Sequence, residues 1–221
     1  LKFIVDVDKS AQLPAGVFDA IDDSNRVVII ASSTRDGEEE KVLTAFKRVL
    51  ESHPNTVLLL VPRHPERFDA VATLVGRMGL RLGRRSKNDL LTEEMQVYLG
   101  DSMGEMMSYY RLASIAFVGG SLVNTGCQNV LEPAAFGIPV VTGPSQFNFA
   151  TICRQLEAES ALRTVADEKE LADFLIDLIP DWARQAEMGR RGKALVEDNQ
   201  DSLPALLSLL EPLLAAPSSD A

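Results

Sequence analysis

Short, continuously apolar segments alternate with segments of helical periodicity along most of this chain. The runs "RVVIIAS" (Arg26–Ser32) and "TVLLLVP" (Thr56–Pro62) are typical of strands buried on both faces of a sheet. Between them, Val42, Phe46 and Val49 fall on one face of a predicted helix. Four later runs predict further strands: "VYLGD" at Val97–Asp101, "IAFVGG" at Ile115–Gly120, "IPVVTG" at Ile138–Gly143 and "LRTVAD" at Leu162–Asp167.

This alternation of strand and helix predicts βαβ units, which form a parallel sheet with helices on both faces. A further helix is predicted from about Pro65 to Gly79, and residues 168–216 are expected to be rich in helix. The last apolar segment, "LPALLSLLEPLLAAP", is expected to pack on a surface. No internal repeat or linker interrupts the pattern, so residues 1–221 are predicted to form one doubly wound α/β domain.

Composition and charge narrow the functional classes. The chain has 221 residues, is 46% hydrophobic and carries a formal net charge of −10. The acidic balance argues against a nucleic-acid partner, because phosphate backbones are held by excess Lys and Arg. No apolar run is long enough to predict a membrane span. The two cysteines and two histidines match no disulfide framework or metal-ligand spacing, so a reduced, cytoplasmic protein without metal or cofactor is expected.

The residues that are unusual for ordinary packing follow predicted strands. Ligands of open parallel sheets bind beyond the carboxyl ends of the strands, where the strand order reverses. Loop residues after five strands therefore fall on one predicted edge: Ser32-Ser33-Thr34, Pro62-Arg63-His64-Pro65, Asp101 to Glu105, Gly119-Gly120-Ser121 and Gly143-Pro144. Their clustering predicts a ligand site at this edge.

The segment "FVGGSLVNTGCQNVLEP" leads from one of these strands into a predicted helix. Glycines allow backbone amides to approach an anion, although Gly119 and Gly120 also suit a tight turn. Asn129 is open to interpretation as an N-cap or as a ligand contact. Glu132 stands in the first helical turn, where an acid either stabilises the helix dipole or accepts the hydroxyls of a ribose.

A rigid turn between two prolines carries Arg63, His64 and Arg67. A guanidinium at a strand's carboxyl end suits a carboxylate or phosphate ligand, whereas the alternative is a set of surface ion pairs. His64 is a candidate general base, but a structural histidine is favoured. Local positive charge that mildly favours an anionic small ligand comes from three further residues, Arg84, Arg85 and Lys87.

Several segments together resemble a known family. "ASSTRDGEEE", "VPRHPERF", "RRS", "LGDSMGEM", "AFVGGSL", "GCQNVLEPAAFGIPVVTGP" and "FNF" follow the order and approximate spacing of the C-terminal half of 3-deoxy-D-manno-octulosonic acid (Kdo) transferases. These glycosyltransferases add Kdo from CMP-Kdo to a lipid A precursor in Gram-negative bacteria. The resemblance extends from about Leu1 to about Leu210.

The resemblance implies a GT-B enzyme, in which two Rossmann-like domains enclose the active site. The C-terminal domain of such an enzyme holds the CMP-Kdo donor. The N-terminal domain carries the acceptor lipid site, the general base and the surface that meets the cytoplasmic face of the inner membrane. Because this chain resembles only the C-terminal half and begins at Leu1 rather than Met, it is expected to be a soluble piece of a longer protein. It is then expected to bind donor but to be inactive alone, with no catalytic residue of its own.

The family pattern also implies roles for individual residues. Arg63 would contact the donor's charged groups, and the amides of Gly120 and Ser121 would face the CMP phosphate. Asn129 and Glu132 would contact the nucleotide, with Glu132 on the ribose hydroxyls. Six further residues are expected to line the cleft between the domains: Ser33, Thr34, His64, Gly104, Glu105 and Gln128. Transfer would invert the anomeric centre without a metal.

Two segments depart from the family pattern. Gly126-Cys127-Gln128-Asn129 stands where the family has Gly-Gly-His-Asn, and Arg35 stands where the family has His. Gln128 can donate a hydrogen bond but cannot carry the charge of an imidazolium. The alternatives are another GT-B nucleotide-sugar enzyme, such as a UDP-sugar transferase or epimerase, and a non-catalytic nucleotide-binding domain. An NAD-dependent enzyme is disfavoured because no glycine fingerprint follows the first strand.

Overall fold

A computed structural model describes residues 26–214, with side chains up to residue 199, together with Val5, Val7, Val17 and Phe18. Seven strands in this part of the chain form one parallel sheet of order β3-β4-β2-β1-β5-β6-β7. The strands are β1 (Val27–Thr34), β2 (Thr56–Pro62), β3 (Leu82–Arg84), β4 (Val97–Leu99), β5 (Ile115–Val118), β6 (Val140–Thr142) and β7 (Leu162–Thr164). The predicted α/β class with a doubly wound parallel sheet is confirmed.

Helices follow the strands as the periodicity predicts. They are α1 (Glu38–Ser52), α2 (Phe68–Arg77), α3 (Met106–Leu112), α4 (Leu131–Ala135), α5 (Ala150–Ala158), α6 (Glu168–Leu178) and α7 (Trp182–Leu214). Short 3-10 turns occupy Pro65–Arg67 and Arg85–Lys87. The prediction that the last apolar segment packs on a surface concerns side chains outside the described residues.

The six predicted strands are present, but the sequence pattern does not predict the edge strand β3. It is three residues long, with partly exposed Leu82 and Arg84 on either side of Gly83, and among the strands of the described residues it pairs only with β4. Such a strand has neither a continuous apolar run nor a clear alternation, because within this part of the chain one side of it has no strand neighbour.

Successive residues of the central strand supply two separate cores. In β1, Ile29 packs into the core beneath α1, α2 and α6, whereas Ile30 packs into the core on the opposite face with Tyr98 and Tyr109. Because side chains alternate across a strand, an apolar run such as "VVII" requires both faces of the sheet to be covered. A third cluster lies under α4, α5 and α7.

The strand order reverses between β1 and β5. From β1 the chain moves to β2 on one side, whereas β5, β6 and β7 follow one another on the other side. Ser32 of β1 is in register with Val118 of β5, so their carboxyl ends lie side by side. Open parallel sheets bind ligands at such a switch point, which places the predicted site between the loops that leave these two strands.

Candidate functional site

The loops that leave β1 and β5 are packed against each other at the switch point. The amide of Gly119 donates to the carbonyl of Ser32 at 2.8 Å. A Cβ atom at Gly119 would lie 2.6 Å from Cα of Thr34, so only glycine fits this approach. Ser33 opposite has φ 53°, a left-handed conformation unusual for serine, and interrupts the register between β1 and β2. Backbone atoms of these two loops therefore fill the space between the ends of β1 and β5.

The carboxylate of Glu38 fills the space above this contact. Its Oε2 accepts from the amide of Gly120 at 2.6 Å, and its Oε1 accepts from Ser121 at 3.0 Å and Leu122 at 2.9 Å. The amide of Arg35 adds a fourth bond, to Oε2, at 3.0 Å. Glu38 is fully buried. Burial raises the pKa of Glu38, while the backbone donors act in the opposite direction.

This arrangement changes the role of the glycine loop, residues 119–122. The amides of Gly120 and Ser121, expected to be open to a phosphate, already donate to a protein carboxylate. Ser121 is also fully buried, with its hydroxyl donating to the carbonyl of Val118 and accepting from the amide of Gly143. A phosphate would reach these two amides only by displacing Glu38, so that contact stays a prediction.

The next residue, Glu39, holds the turn that carries Arg63. Its buried carboxylate receives two bonds from the guanidinium of Arg67, at 2.5 and 2.9 Å, and one from the hydroxyl of Thr34 at 2.9 Å. Hydrogen bonding to Glu39 raises the pKa of Arg67. Thr34, expected to line a cleft, is instead fully buried with its hydroxyl engaged. The guanidinium of Arg67 is therefore paired with carboxylates of the protein itself.

The positive charge expected from Arg84 is also engaged within the protein. Its guanidinium bonds the buried carboxylate of Asp101 at 2.6 Å and the exposed carboxylate of Asp69 at 2.7 Å. Ser86 donates to Asp101 from both its amide and its hydroxyl. Burial alone would raise the pKa of Asp101, but the bonds from Ser86 and Arg84 outweigh it and hold the pKa below its usual range.

A parallel network fixes Glu105 in the loop after β4. Its carboxylate accepts from Arg85 at 2.8 Å, from the hydroxyl of Tyr109 at 3.1 Å and from Ser102. Burial opposes ionisation, yet these donors lower the pKa of Glu105. The charge of Arg85, which was expected to favour an anionic ligand, is therefore paired within the protein. Gly104 gives the same loop a positive φ of 83°.

The carboxylate of Glu132 is less completely engaged than the four buried carboxylates described above. The side chain of Asn129 donates to one oxygen of Glu132 at 3.0 Å and accepts from the backbone amide of Leu131 at 3.1 Å, so it orients the acid. The N-cap residue of α4 is Val130 and not Asn129. Burial raises the pKa of Glu132, whereas Asn129 and the charge of Arg63 lower it in part. Arg63 is exposed, and its guanidinium makes no ion pair with another residue of the described part of the chain.

Several other residues that were predicted to line the site lie near Arg63. Ser33, Arg63, Gly104 and Glu105 share the wall of a cavity of about 90 Å³. His64 contacts a guanidinium nitrogen of Arg35 through Nε2, which makes that ring nitrogen an acceptor. The Nε atom of Arg35 is buried without a hydrogen-bond partner.

Gln128 stands between the glycine loop and Asn129. Its amide donates to the carbonyl of Gly119 at 2.9 Å, while its side chain makes only a long 3.5 Å contact with the carbonyl of Gly126. Its neighbour Cys127 points away from this edge into the core, with its sulfur 3.9 Å from that of Cys153. The loop therefore presents Gln128 and buries Cys127.

A larger cavity, of about 540 Å³, lies along the edge strand β7. It shares no lining residue with the group around Arg63 and Glu132. Of its three arginines, Arg163 pairs with Glu170 and Arg191 with Glu187 at the surface. The third, Arg184, lies over the ring of Phe174. The carboxyl edge is the better candidate, because it combines the strand switch point with an unpaired cation and a partly free carboxylate.

Neither a membrane span nor a metal centre is evident among the described residues. None of the helices in that part of the chain combines the length and apolar character needed to cross a membrane. No group of three or more His, Cys, Asp or Glu side chains there is arranged to hold a metal ion.

Comparison with known proteins identifies relatives over most of the chain. Residues 19–195 match the family described as glycosyl transferases group 1. The 3-deoxy-D-manno-octulosonic acid transferase of Haemophilus influenzae is 44% identical over 191 residues, covering 86% of this chain and 45% of that protein. The enzyme of the same name from Bordetella pertussis is 35% identical over 193 residues, 85% of this chain and 45% of the relative. The chain thus spans about half the length of these relatives.

One solved structure supports the same family, and a second shares the fold. The C-terminal CMP-Kdo binding domain of WaaA from Acinetobacter baumannii is 35% identical, with a TM-score of 0.75 over 80% of this chain and 94% of that domain. Anabaena HepE, solved with UDP and glucose, has a TM-score of 0.62 over 96% of this chain and 55% of that one. At 14% identity, the second likeness shows the fold alone. The resemblance and the GT-B type of sheet predicted from sequence are confirmed.

Proposed function

Because the chain belongs to the group 1 glycosyl transferases, and is homologous over most of its length to 3-deoxy-D-manno-octulosonic acid transferases, we propose that it is the donor-binding part of such an enzyme. The donor is CMP-Kdo. The acceptor, a lipid A precursor, and the cytoplasmic face of the inner membrane are met by an N-terminal domain of the complete protein. Turnover requires both domains, so the chain alone binds donor without transferring sugar.

The juxtaposition of Arg63, Asn129 and Glu132 carries this proposal. Asn129 engages one oxygen of the Glu132 carboxylate and leaves acceptor capacity for the vicinal hydroxyls of a ribose. Arg63 lies close enough for its charge to favour the ionised form of Glu132, and its guanidinium suits the phosphate of CMP or the carboxylate of Kdo. A nucleotide that carries both an anion and a ribose matches this pair of opposite charges.

The same residues suit the departure of CMP. As the acceptor hydroxyl attacks the anomeric carbon with inversion, negative charge grows on the leaving phosphate, and Arg63 stabilises it without a metal. Gln128, whose side chain is held only by a long contact, supplies a neutral hydrogen-bond donor beside the glycine loop. The general base for the acceptor hydroxyl belongs to the other domain.

Titration calorimetry with CMP, UMP and NAD tests the donor class on this chain. We expect CMP to bind and UMP and NAD to bind more weakly or not at all. Glu132→Ala removes charged hydrogen bonds worth about 1.5–3 kcal/mol and should weaken CMP binding at least about tenfold without unfolding the chain. Glu159→Ala, which removes an exposed acid at the end of α5, is the matched control and should bind as the wild type does.

Two results would overturn the proposal. Preferential binding of UMP would favour a UDP-sugar transferase or epimerase, the second candidate, which the fold shared with HepE permits. Unchanged CMP affinity in Glu132→Ala would remove the ribose role of that carboxylate.

A further inference from the structure

The structure assigns to Glu38 the role of a positioning residue: its carboxylate occupies an anion cradle formed by the glycine loop and fixes that loop against helix α1. The inference deepens the proposed function and rests on it, because the loop leads to Asn129 and Glu132, which are proposed to bind CMP-Kdo. Glu38 itself is fully buried, and its carboxylate accepts from the amides of Gly120 and Ser121.

The geometry of the cradle is that of an anion site filled by the protein itself. Three consecutive amides, those of Gly120, Ser121 and Leu122, converge on one carboxylate at 2.6 to 3.0 Å. Successive backbone N–H groups that point into one concavity are a recurrent way of binding anions. Gly120 has φ 78°, and a Cβ there would clash with the carbonyl oxygen of Gly126, so both the backbone conformation and the close approach to Gly126 favour glycine at this position.

The three acids of the first turn of α1 are not equivalent. A helix dipole alone would favour any of them at the surface. Glu40 is exposed, whereas Glu38 and Glu39 are buried, and each of these two bonds a different loop of the site. Glu39 holds the Arg63 turn through Arg67, and Glu38 holds the glycine loop. Adjacent residues of one helix thus hold both sides of the donor site in register.

Removing the Glu38 carboxylate would leave the cradle amides buried without an acceptor. Buried backbone donors are almost always paired, so the loop would rearrange to satisfy them. Gln128 is bonded through its amide to the carbonyl of Gly119, and Asn129 follows it directly, so both would shift with the loop. The consequence is a donor site with its residues present but displaced.

The test compares Glu38→Ala and Glu38→Gln with the matched control Glu40→Gln. We expect CMP to bind at least tenfold more weakly to both Glu38 variants and with wild-type affinity to Glu40→Gln. Formate is small enough to refill the cradle left by alanine, so it should restore most of the CMP affinity of Glu38→Ala. Chloride at the same ionic strength should not, nor should formate rescue Glu38→Gln, whose amide fills the space. Global destabilisation would not distinguish these two variants in this way.

A second measurement makes the outcome independent of the donor. Amide hydrogen exchange at Gly120, Ser121 and Leu122 should be at least tenfold faster in Glu38→Gln than in the wild type, and unchanged in Glu40→Gln. Wild-type exchange and wild-type CMP affinity in Glu38→Gln would overturn the inference, as would equal rescue by formate and chloride. A wild-type chain that fails to bind CMP would overturn the proposed function instead, while the exchange rates still decide whether Glu38 holds the loop. If Glu38→Ala does not fold, Glu38→Gln decides by both measurements.

Discussion

The two halves of the carboxyl edge hold their acids in different ways. In the arginine half, formed by the loops after β2, β3 and β4, three guanidinium groups neutralise three carboxylates: Arg67 with Glu39, Arg84 with Asp101 and Arg85 with Glu105. In the glycine half, formed by the loops after β5 and β6, Glu38 is held by backbone amides and Glu132 by Asn129.

The pKa shifts show the consequence of this difference. Charged and hydroxyl donors outweigh burial in the arginine half, so the pKa values of Asp101 and Glu105 are lowered. Neutral donors do not outweigh burial in the glycine half, where the pKa values of Glu38 and Glu132 are raised. The number of arginines near a site is therefore a poor measure of its capacity to bind an anion, since paired charges serve the fold. Arg63, unpaired within the described residues, is the informative one.

The largest effect that distinguishes the halves should come from Asp101→Ala. Asp101 is buried and paired with Arg84, so its removal leaves a guanidinium without its main partner and two Ser86 donors unsatisfied. Breaking a buried ion pair costs about 3–5 kcal/mol, which urea unfolding would report as a lower midpoint.

The control for this prediction is Asp69→Ala, which removes the exposed partner of the same arginine. Exposed ion pairs contribute about 0–1 kcal/mol. Equal losses in Asp69→Ala and Asp101→Ala would show that burial does not set the strength of the arginine half.

A smaller loss of stability is expected when the glycine half is overpacked. In Gly119→Ala, the new methyl group would lie 2.6 Å from Cα of Thr34 and 2.7 Å from the carbonyl oxygen of Ser33. Strain of this kind costs about 1–3 kcal/mol. Calorimetric melting should show a lower Tm for Gly119→Ala.

Gly76→Ala is expected to raise stability, whereas Gly119→Ala is expected to lower it. Gly76 lies inside helix α2, where a methyl group on its Cα would have no neighbouring atom within 4 Å, so alanine should stabilise the chain by about 0.5–1 kcal/mol. A higher Tm in Gly119→Ala than in Gly76→Ala would mean that the β1 and β5 loops are not in close contact.

The sequence predicts the sheet better than it predicts the site, for a physical reason. Continuous apolar runs reveal six of the seven strands, and their order along the chain brings Arg63, Asn129 and Glu132 to one edge. Three consecutive acids at 38–40, however, look like ordinary dipole-stabilising residues. The burial of Glu38 depends on Gly120 and Ser121, more than 80 residues away. Local sequence patterns cannot predict a contact between residues so far apart in the chain.

The same limit explains the arginines. From sequence, Arg67, Arg84 and Arg85 indicate positive potential for an anionic ligand, because their partners are distant in the chain or indistinguishable from surface acids. Asp101 is such a partner, hidden in a loop after β4. Its side chain is buried only because of the packing of the folded chain. Once buried, it pairs with Arg84, which from sequence is a candidate ligand contact.

The smallest expected effect, and the one that separates the halves by sign, is the pH dependence of stability. The lowered pKa of Asp101 means that its stabilisation is complete above the unfolded pKa of about 4 and is lost as pH falls through the folded value. The raised pKa of Glu132 has the reverse effect: its contribution is complete below about pH 4 and is lost as pH rises through the folded value. Urea unfolding from pH 7 down to about pH 3.5 should therefore show that the wild type loses stability relative to Asp101→Asn as the pH falls. Over the same range, the wild type should gain stability relative to Glu132→Gln. Differences that move in the same direction for both variants would mean that the two halves hold their acids alike.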